Sequence, residues 1–461
     1  MNELLVDRMA RERYSLVSID LFSGPGGLCT GFKWAGILPL IGVEWTDSTV
    51  KTYSITHNTD VFELSKYEDD HSYLDSFLIP SAKSVLIHGD INHVSNELIQ
   101  TILLQRFGID GINETIDVVS GGAPCESFSL AGTRTEGDQR DDLFSNIVRI
   151  SRFLHTKIIL FENVKGILSK PRNGERGGIF TYICDSFEDP NQETTYRLVS
   201  RDPNTILLKS CDYGVPQLRE RIFLVSVRTD LDDVVFNYPI PTYGPELEMP
   251  FVTVNDALSD LPIVQMNEET TEYVPLNHFE NENQERFVSI MRGNLVNDEI
   301  NTTPPQHLID DHLYTETSIS SHKGPGHIVR KQQLIGLIHV GESMKSAFDR
   351  LTREGVIDQY RDLFPNTIYG SRNRRLILDE PSFTVTSHCL DEILHPFLNR
   401  SITPREAARL QSFPDWYQFY GPYVQFHGSK EQDRYEQIGD AIPPLLAYAI
   451  GRQILLSLEN H

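Results

Sequence analysis

The chain has 461 residues, about three times the length of a modal domain, which predicts one large unit and a smaller second one. Hydrophobic residues make up 39% of the chain and charged residues 23%, which excludes a disordered or fibrous protein. The net charge of −24 argues against a polyanionic partner, because phosphates are neutralised by Lys and Arg. A locally basic run at residues 371–375 keeps that class of partner open.

The cysteines and the N-terminus indicate the cellular compartment in which the protein is expected. Five cysteines are spread along the chain with no CxxC pair, which argues for a reducing compartment and against a disulfide frame or a zinc site. The N-terminus lacks a signal-peptide core, and no apolar run approaches the roughly 18 residues that span a bilayer. We therefore expect a cytoplasmic protein without a metal or a membrane contact.

The first 230 or so residues alternate short β-branched runs with helical patterns, which is typical of a doubly wound, mostly parallel α/β sheet. Strands are predicted at 15–21, 38–44, 84–88, 116–120, 157–162, 206–210 and 222–227. Helices are predicted between them at 28–35, 47–57, 96–107 and 143–154. Beyond three prolines at 239, 241 and 245 the pattern weakens, which predicts an insertion leading into a second domain.

Two helices are predicted near the C-terminus. Thr403, Pro404 and Glu406 form an N-cap, a first-turn proline and a capping box, so a helix begins there. A second helix is predicted over 442–458. We expect three segments: a first domain over 1–267, a second, smaller domain over 268–430, and a C-terminal helix over 431–461 that returns to the first.

A glycine-rich turn follows the first strand at residues 20–28, DLFSGPGGL. Such a turn lets a ligand approach the backbone at a helix N-terminus, and Glu44, at the end of the second strand, is where an acid binds ribose hydroxyls. Asp90 closes the third strand at the same edge. The turn is not the GxGxxG of pyrophosphate binders, so it favours a nucleoside cofactor without a pyrophosphate. An ordinary glycine-rich turn is the alternative.

Three further patterns carry chemistry. Cys125 follows a Gly-Gly-Ala-Pro loop after the fourth strand, where a thiolate is placed as a nucleophile; the alternative is an inert buried cysteine. Glu162 ends an apolar strand and can hold a proton, or else serve as a salt-bridge partner or helix cap. Arg219 and Arg221 enter the last strand on one side and suit a phosphate or a base carbonyl, the alternative being a solvated strand end.

The ordered set of these motifs resembles the cytosine-C5 DNA methyltransferases over nearly the whole chain. The resemblance includes DLFSGxGG, the Pro-Cys loop, ENV at 162–164 and QLRER at 217–221. It extends to residues 405–414, similar to a helix that supports the family's target-recognition domain, and to 439–444, similar to its closing motif.

The resemblance implies a class I, Rossmann-like fold and the cofactor S-adenosylmethionine. The residues implied to bind the cofactor are Asp20, Phe22, Ser23, Gly24, Gly26, Gly27, Leu28, Glu44, Trp45, Asp90, Ile91, Asp440 and Ala441. Those implied in catalysis are Cys125, Glu162, Arg219, Arg221 and Pro124, with the Cys125 thiolate adding to C6 of a flipped cytosine and Glu162 holding N3 protonated. The implied domains are catalytic and cofactor-binding (1–267) and target-recognition (268–430).

Double-stranded DNA is the implied substrate. The predicted DNA contacts are Ser127, Arg134, Gln217, Arg330, Arg372, Arg374 and Arg375. For the basic run, phosphate contact or a solvated loop is slightly favoured over base reading. A monomer with a cognate restriction endonuclease acting on the same site is expected. The alternatives are a tRNA methyltransferase of the same chemistry, a nicotinamide-dependent oxidoreductase and a non-catalytic DNA-binding protein.

Two positions depart from the family pattern. Glu126 follows the cysteine where Gln is usual, and Asp440 stands in the closing motif where Asn is usual. We expect both changes to tune the activity, because Cys125, Glu162 and both arginines are present.

Overall fold

The computed structural model describes residues 1–111, 116–123, 142–273, 278–297, 300–424 and 431–459. The chain divides into two compact units. The first unit comprises Met1–Lys209, Glu220–Ile240 and Leu446–His461, and the second comprises Ser210–Arg219 and Pro241–Leu445. The functional division expected from the sequence, 1–267, 268–430 and 431–461, stays a prediction.

Among the described residues, the first unit is built on a nine-stranded sheet. Its strands are β1 (Leu16–Leu21), β2 (Ile37–Glu44), β3 (Asp60–Glu63), β4 (Val85–His88), β5 (Val118–Gly121), β6 (Ile158–Val164), β7 (Tyr196–Leu198), β8 (Leu207–Lys209) and β9 (Glu220–Arg228). The order is β3-β4-β2-β1-β5-β6-β9-β7, with β8 paired to β9. Strands β1 to β6 pair in parallel, and β9 runs antiparallel to β6, β7 and β8. The predicted doubly wound, mostly parallel α/β fold is confirmed.

The central strands are buried on both faces of the sheet. Every residue of β1, β2 and β5 is buried, as expected for a parallel sheet of this kind. The helices of this unit before β9 are α1 (Glu3–Glu12), α2 (Gly27–Trp34), α3 (Asp47–His57), α4 (Leu64–Asp69), α5 (Asn96–Phe107), α6 (Ser145–Phe153), α7 (Gly178–Phe187) and α8 (Pro203–Ile206).

The second unit is formed of short helices with one small sheet. Its helices are α9 (Val254–Leu258), α10 (Glu282–Met291), α11 (Gln306–Asp310), α12 (Val329–Gly336), α13 (Met344–Arg353), α14 (Cys389–Glu392), α15 (Pro404–Leu410) and α16 (Arg434–Asp440). Its strands β10 (Arg374–Arg375) and β11 (Ile393–Leu394) pair in parallel. The capping box predicted at Thr403 is confirmed, since its side chain accepts from the Glu406 amide and Glu406 returns the bond.

The last helix, α17 (Pro444–Leu458), runs from the second unit into the first. A Cβ atom added at Gly451 would lie 3.0 Å from the Cβ atom of Ala35 and 3.2 Å from Cδ1 of Phe32, so α17 lies close against α2. In the part of the chain described, Arg434–Leu458 is long and apolar enough to cross a membrane, yet 72% of its apolar window is buried inside the protein. Core helices of soluble proteins meet the same criterion.

The sheet order puts a topological switch between β1 and β5. The chain leaves β1 toward β2, β4 and β3, and then returns to place β5 on the other side of β1. Ligands of doubly wound sheets bind at such a switch, outside the carboxyl ends of the strands. The turn after β1 and the loop after β5 therefore flank the crevice in which a ligand is expected.

Candidate active site

The glycine-rich turn after β1 has a backbone that few residues adopt. Phe22, Gly24 and Gly26 all have positive φ angles, of 57°, 54° and 100°. Ser23 ties the turn to β2, because its amide donates to the Val43 carbonyl at 3.0 Å and its hydroxyl accepts from the Val43 amide at 3.0 Å. A Cβ atom at Gly24 would meet nothing within 4 Å, so the space in front of this backbone is open to a ligand.

Glu44 fixes the turn from the neighbouring strand. One carboxylate oxygen accepts from the Gly24 amide at 3.0 Å, and the other accepts from the Trp45 and Thr46 amides at 2.9 and 3.0 Å. Burial raises the pKa of Glu44, while these amides oppose the rise. The indole of Trp45, by contrast, is 72% exposed. Glu44 is thus a structural member of the site, with lone pairs left over for a ligand.

Asp20 is the most strongly perturbed carboxyl group at this edge. It is 2% exposed, and one oxygen accepts from the Ser120 hydroxyl at 3.0 Å. The other oxygen has no hydrogen-bond partner among the described residues. Burial raises the pKa of Asp20 to about 7, against the Ser120 hydrogen bond and with a contribution from the charge of Glu44. A buried carboxylate oxygen without a hydrogen-bond partner among the described residues can accept a hydrogen bond from a ligand.

The end of β4 joins the same edge. The Gly89 amide donates to the Glu44 carbonyl at 2.9 Å, which brings Asp90 beside the end of β2. Asp90 is exposed and caps a short 3-10 helix, accepting from the Asn92 amide at 2.9 Å. Ile91 is buried, so its side chain belongs to the core and only its backbone is available to a ligand.

The remaining residues predicted at the cofactor lie in different places. Gly27 and Leu28 begin α2, and the Leu28 side chain is buried, which leaves the helix N-terminal amides facing the crevice. Asp440 and Ala441 belong to the second unit, at the end of α16, where the Gln432 amide donates to Asp440 at 3.4 Å.

Glu162 and Arg221 form an ion pair where β6 and β9 run side by side. The Arg221 Nε atom lies 3.0 Å from one oxygen of Glu162, and both side chains are about nine-tenths buried. A Cβ atom at Gly122 would come within 2.8 Å of the other oxygen of Glu162. A side chain at position 122 would therefore displace this carboxyl oxygen, and glycine lets the carboxyl group lie against the backbone after β5.

Asn163 is a site residue that the sequence reasoning missed. Its side chain is almost completely buried, and its amide donates to the carbonyl of Ala123 at 3.1 Å. Ala123 is the last described residue before Pro124, Cys125, Ser127 and Arg134, which lie outside the described residues. The signal was a second polar residue beside Glu162 in an otherwise apolar strand, because a buried amide needs a partner.

Arg219 takes partners that differ from those of Arg221. It precedes β9, belongs to the second unit, and is fully buried. Its guanidinium donates to the carbonyls of Val385, Gly439 and Ala441 at 2.8, 2.9 and 2.9 Å. The expectation that both arginines act on one ligand does not fit these contacts, because the strand starts only after Arg219.

Gln217 is also fully buried in the second unit. Its side-chain amide donates to the Leu410 carbonyl at 3.0 Å and to the Gln411 side chain at 2.8 Å. Its carbonyl accepts from the Val385 amide at 2.7 Å. The predicted DNA contact of Gln217 does not fit this burial, and we assign the residue to packing of the second unit.

The basic run at 371–375 contains residues of two kinds. Arg375 is 4% exposed and donates to four carbonyls and to Asn399, so we assign it to packing rather than to DNA. Arg374 is half-buried and stacks on Phe383 at 4.3 Å, and burial lowers its pKa. Arg372 is exposed, which leaves its guanidinium available to solvent.

Two of the predicted DNA contacts are exposed. Arg372 lies 3.7 Å from a carboxylate oxygen of Asp391, a weak surface pair. Arg330, at the start of α12, donates to the carbonyls of Leu363 and Phe364 while its side chain stays exposed. Both remain predictions.

In the part of the chain that the structure describes, no group of three His, Cys, Asp or Glu side chains could hold a metal ion. The described cysteines, which form no disulfide, are all buried: Cys29, Cys184, Cys211 and Cys389. Burial raises the pKa of Cys29, Cys184 and Cys389, which makes these thiols poor nucleophiles.

The strand order, with the glycine turn and the acids along one edge of the sheet, is that of the class I methyltransferase fold. The profile of the C-5 cytosine-specific DNA methylases matches residues 82–456, most of the chain. The chain belongs to this family, and it is a DNA cytosine-C5 methyltransferase. The match begins after the glycine turn, so the turn and Glu44 lie outside the matched residues.

Named relatives agree with the family over nearly the full length. The chain is 29% identical to the type II methyltransferase M.DdeI of Desulfomicrobium norvegicum, over 96% of this chain and 89% of the relative. It is 28% identical to M.XorII of Xanthomonas oryzae, over 96% and 85%. A crystal structure of a putative DNA modification methyltransferase encoded within an E. coli prophage superposes with a TM-score of 0.64 at 24% identity, over 97% of this chain and 100% of that one, a likeness in fold.

Proposed function

We propose that the protein transfers a methyl group from S-adenosylmethionine to C5 of a cytosine turned out of duplex DNA, at one short sequence. The observation that carries the proposal is the Glu162–Arg221 pair against Gly122. It provides a fixed carboxyl group beside Gly122, and Cys125 follows Gly122 by three positions in the sequence.

The residues at the ends of β1, β2 and β4 fit the proposed cofactor. S-adenosylmethionine carries a sulfonium, an ammonium and a ribose, so it needs acceptors and a close backbone. Asp20 offers a buried oxygen without a partner among the described residues, and Gly24 faces open space. Glu44 would hold the ribose and the exposed Trp45 the adenine ring. When bound, the cofactor supplies an electrophilic methyl group.

The protein side chains would activate the base. The Cys125 thiolate adds to C6, which moves the electron pair of the C5–C6 double bond onto C5, from where it is delocalised to N3 and the exocyclic O2. Glu162 holds a proton at N3 and so reduces the charge that develops on the ring. Arg221, paired with one oxygen of Glu162, keeps the other oxygen directed past Gly122. After methylation a base removes the C5 proton, and the returning electron pair expels the thiolate.

The named relatives, which are type II methyltransferases, support a proposal for the biological setting. We propose that this protein, a monomer in the cytoplasm, modifies double-stranded DNA and protects it from a restriction endonuclease that cuts the same site. Loops of the second unit, around the exposed Arg372 and Arg330, would read the sequence.

The test is methyl transfer from labelled S-adenosylmethionine to unmethylated genomic DNA and, in parallel, to bulk tRNA. We expect label in DNA, loss of that label in Cys125→Ala, and protected cytosines in one motif after bisulfite sequencing. Cys184→Ala is the matched control, since this buried thiol lies in the first unit and should be dispensable. Label in tRNA alone would overturn the substrate, and full activity of Cys125→Ala would overturn the mechanism.

A further inference from the structure

The segment that joins β6 to α7, residues 165–177, is basic in an otherwise acidic chain. We call it the β6–α7 connection. It contains one acidic side chain, Glu175, and four cationic ones, those of Lys165, Lys170, Arg172 and Arg176. Its balance is therefore positive, whereas the whole chain carries −24. A local excess of positive charge attracts an anion to one place on a protein that repels anions elsewhere.

The β6–α7 connection lies at the edge of the sheet where Glu162 is found, because it leaves the carboxyl end of the strand that carries this residue. A guanidinium nitrogen of Arg172 lies 3.5 Å from a carboxylate oxygen of Asp142. Asp142 is the first described residue after 124–141, the range that contains Cys125. The connection is therefore close, within the first unit, to the residues proposed to act on the base.

This edge of the sheet is divided by charge. Asp20, Glu44 and Asp90 lie at the ends of β1, β2 and β4, and β5 separates these strands from β6 in the sheet order. The acidic side suits the cationic S-adenosylmethionine of the proposed function. The basic side, formed by the β6–α7 connection, suits an anionic ligand instead.

The cations of the connection are not equally available to a ligand. Lys165 forms an ion pair at 2.9 Å with the glutamate that begins β9, and Lys170 is fully buried. The guanidinium of Arg172 lies over the ring of Tyr182, 3.6 Å from its centroid. Arg176 is exposed and makes no ion pair among the described residues. The charge that remains for a ligand is therefore mainly that of Arg176.

The backbone that carries Arg176 is fixed by a tight turn. Arg172 and Glu175 exchange two backbone hydrogen bonds, each of 3.1 Å. Asn173 and Gly174, between them, have φ angles of 53° and 77°, the positive values that a two-residue hairpin turn requires. A Cβ atom on the glycine that begins α7 would lie 2.7 Å from the Arg172 carbonyl oxygen, so the turn packs against this helix. A preorganised backbone reduces the entropy lost when a ligand binds.

We propose that the β6–α7 connection binds the phosphate backbone of the substrate DNA and that Arg176 neutralises one phosphate. The inference rests on the proposed function and deepens it, because it assigns a DNA contact to the first unit. A guanidinium can bind a phosphate through two parallel hydrogen bonds, and most protein–DNA hydrogen bonds go to phosphate and sugar. Such a contact would hold the strand near Glu162 without reading its sequence.

The test compares Arg176→Met with the wild-type protein in binding to a short unmethylated duplex that carries the methylated motif. Fluorescence anisotropy at several salt concentrations gives the Kd and its salt dependence. We expect the Kd to rise about threefold to tenfold and the slope of log Kd against log salt to fall by about 1. Arg176→Lys should keep the wild-type slope, because the charge is restored. The Kd for S-adenosylmethionine without DNA should stay unchanged.

Arg13→Met is the matched control. Arg13 is an exposed residue of the same unit that precedes β1, so it lies at the opposite end of the sheet. Its substitution changes the net charge equally and should leave both the DNA Kd and the salt slope unchanged, because salt screens distant charges.

Three results would overturn the inference: an unchanged DNA Kd and slope in Arg176→Met, equal changes in Arg176→Met and Arg13→Met, or a changed methylated motif in Arg176→Met. The last result would make Arg176 a reader of bases, since phosphate contacts carry no sequence information. The binding assay does not depend on turnover. A wild-type protein that binds the duplex but transfers no methyl group to it would therefore contradict the proposed function and not the phosphate contact.

Discussion

Two groups of buried charges, one in each unit, are built in opposite ways. In the second unit Arg409 is fully buried and bonds both oxygens of Asp260 and both oxygens of Asp415, at 2.6 to 3.0 Å. Arg400 makes a bidentate pair with Glu406 at 2.7 and 2.8 Å. In the first unit, the buried carboxyl groups of Asp20 and Glu44 have a hydroxyl and backbone amides as partners and no cation among the described residues.

The pKa values of two buried carboxyl groups express the difference. Burial would raise the pKa of Glu406, but the charges of Arg400 and His395 lower it to about 2. Burial raises the pKa of Asp20 to about 7, because its hydrogen-bond partner is the Ser120 hydroxyl rather than a cation. Buried carboxylates whose oxygens are all paired with arginines hold the structure of the second unit together. A buried carboxyl group without a cationic partner is available to a cationic ligand.

The largest loss of stability should follow from breaking the ion pairs of Arg409 in the second unit. Arg409→Met leaves two buried carboxylates without their main partner, which should cost about 5 kcal/mol, at the upper end for a broken buried pair. Denaturant unfolding of the full chain measures the loss. Arg353→Met, an exposed position in α13, is the control and should change stability by less than about 0.5 kcal/mol. A loss below about 1 kcal/mol in Arg409→Met would contradict the scaffold role.

Glu162→Gln tests the crevice edge. The amide keeps the shape of the side chain but cannot hold a proton for N3, so we expect kcat to fall about 10³-fold, within the usual range for a general acid. Stability should change little, because Arg221 can still donate to the amide oxygen. Radioactive methyl transfer and thermal unfolding are measured on the same sample. A kcat within tenfold of the wild type would remove Glu162 from the chemistry.

Asp20→Asn should change how stability depends on pH. The unfolded carboxyl group loses its proton near pH 3.8 and the folded one near pH 7, so between these values ionisation favours the unfolded chain. Relative to the variant, the wild type should lose up to about 4 kcal/mol as pH rises from 4 to 7, at about 1.4 kcal/mol per unit, and no more above pH 7. Parallel stability curves would contradict the raised pKa.

Binding of the cationic cofactor should lower the pKa of Asp20, because a bound cation favours the ionised carboxylate. We expect the wild-type affinity for S-adenosylmethionine to weaken as pH falls below about 7. Calorimetry of Asp20→Asn at pH 6 and 8 is the control and should give nearly equal affinities. If the two proteins show the same pH dependence, another group is responsible.

The sequence predicted the sheet well because each strand is a short apolar run. All seven predicted strands occur, with ends within two residues of those in the structure. It missed β3 and β7, which are only four and three residues long and carry little pattern. Glu44 and Glu162, near the ends of β2 and β6, were predicted as site residues because each is an acidic residue directly after an apolar run.

Contacts between remote segments could not be found in this way. Arg219 and Gly439 lie 220 positions apart, and Gln217 and Gln411 lie 194 apart, so no local pattern announces their burial. Arg375 looked like its neighbours in a basic run, yet its acceptors come from residues 335–399. An arginine in a sequence motif identifies a donor; only the fold identifies the acceptor.

The smallest effect concerns the two kinds of arginine in the basic run. Arg372→Met removes one exposed charge and should weaken DNA binding about threefold to tenfold, with the slope of log Kd against log salt reduced by about 1. Its stability should be unchanged. Arg375→Met removes the donors to four carbonyls and should instead lower stability by about 2–4 kcal/mol.

Arg353→Met is the control, because it changes the net charge of the protein by the same amount as Arg372→Met. It distinguishes a direct DNA contact from a long-range electrostatic effect. If Arg372 touches a phosphate or a base, only its own substitution alters the salt slope. Equal weakening of DNA binding by Arg353→Met and Arg372→Met would mean that the overall negative charge of the protein limits binding. The proposal that Arg372 contacts DNA would then be contradicted. A change in the methylated motif in Arg372→Met would go further and identify Arg372 as a reader of bases, since phosphate contacts carry no sequence information.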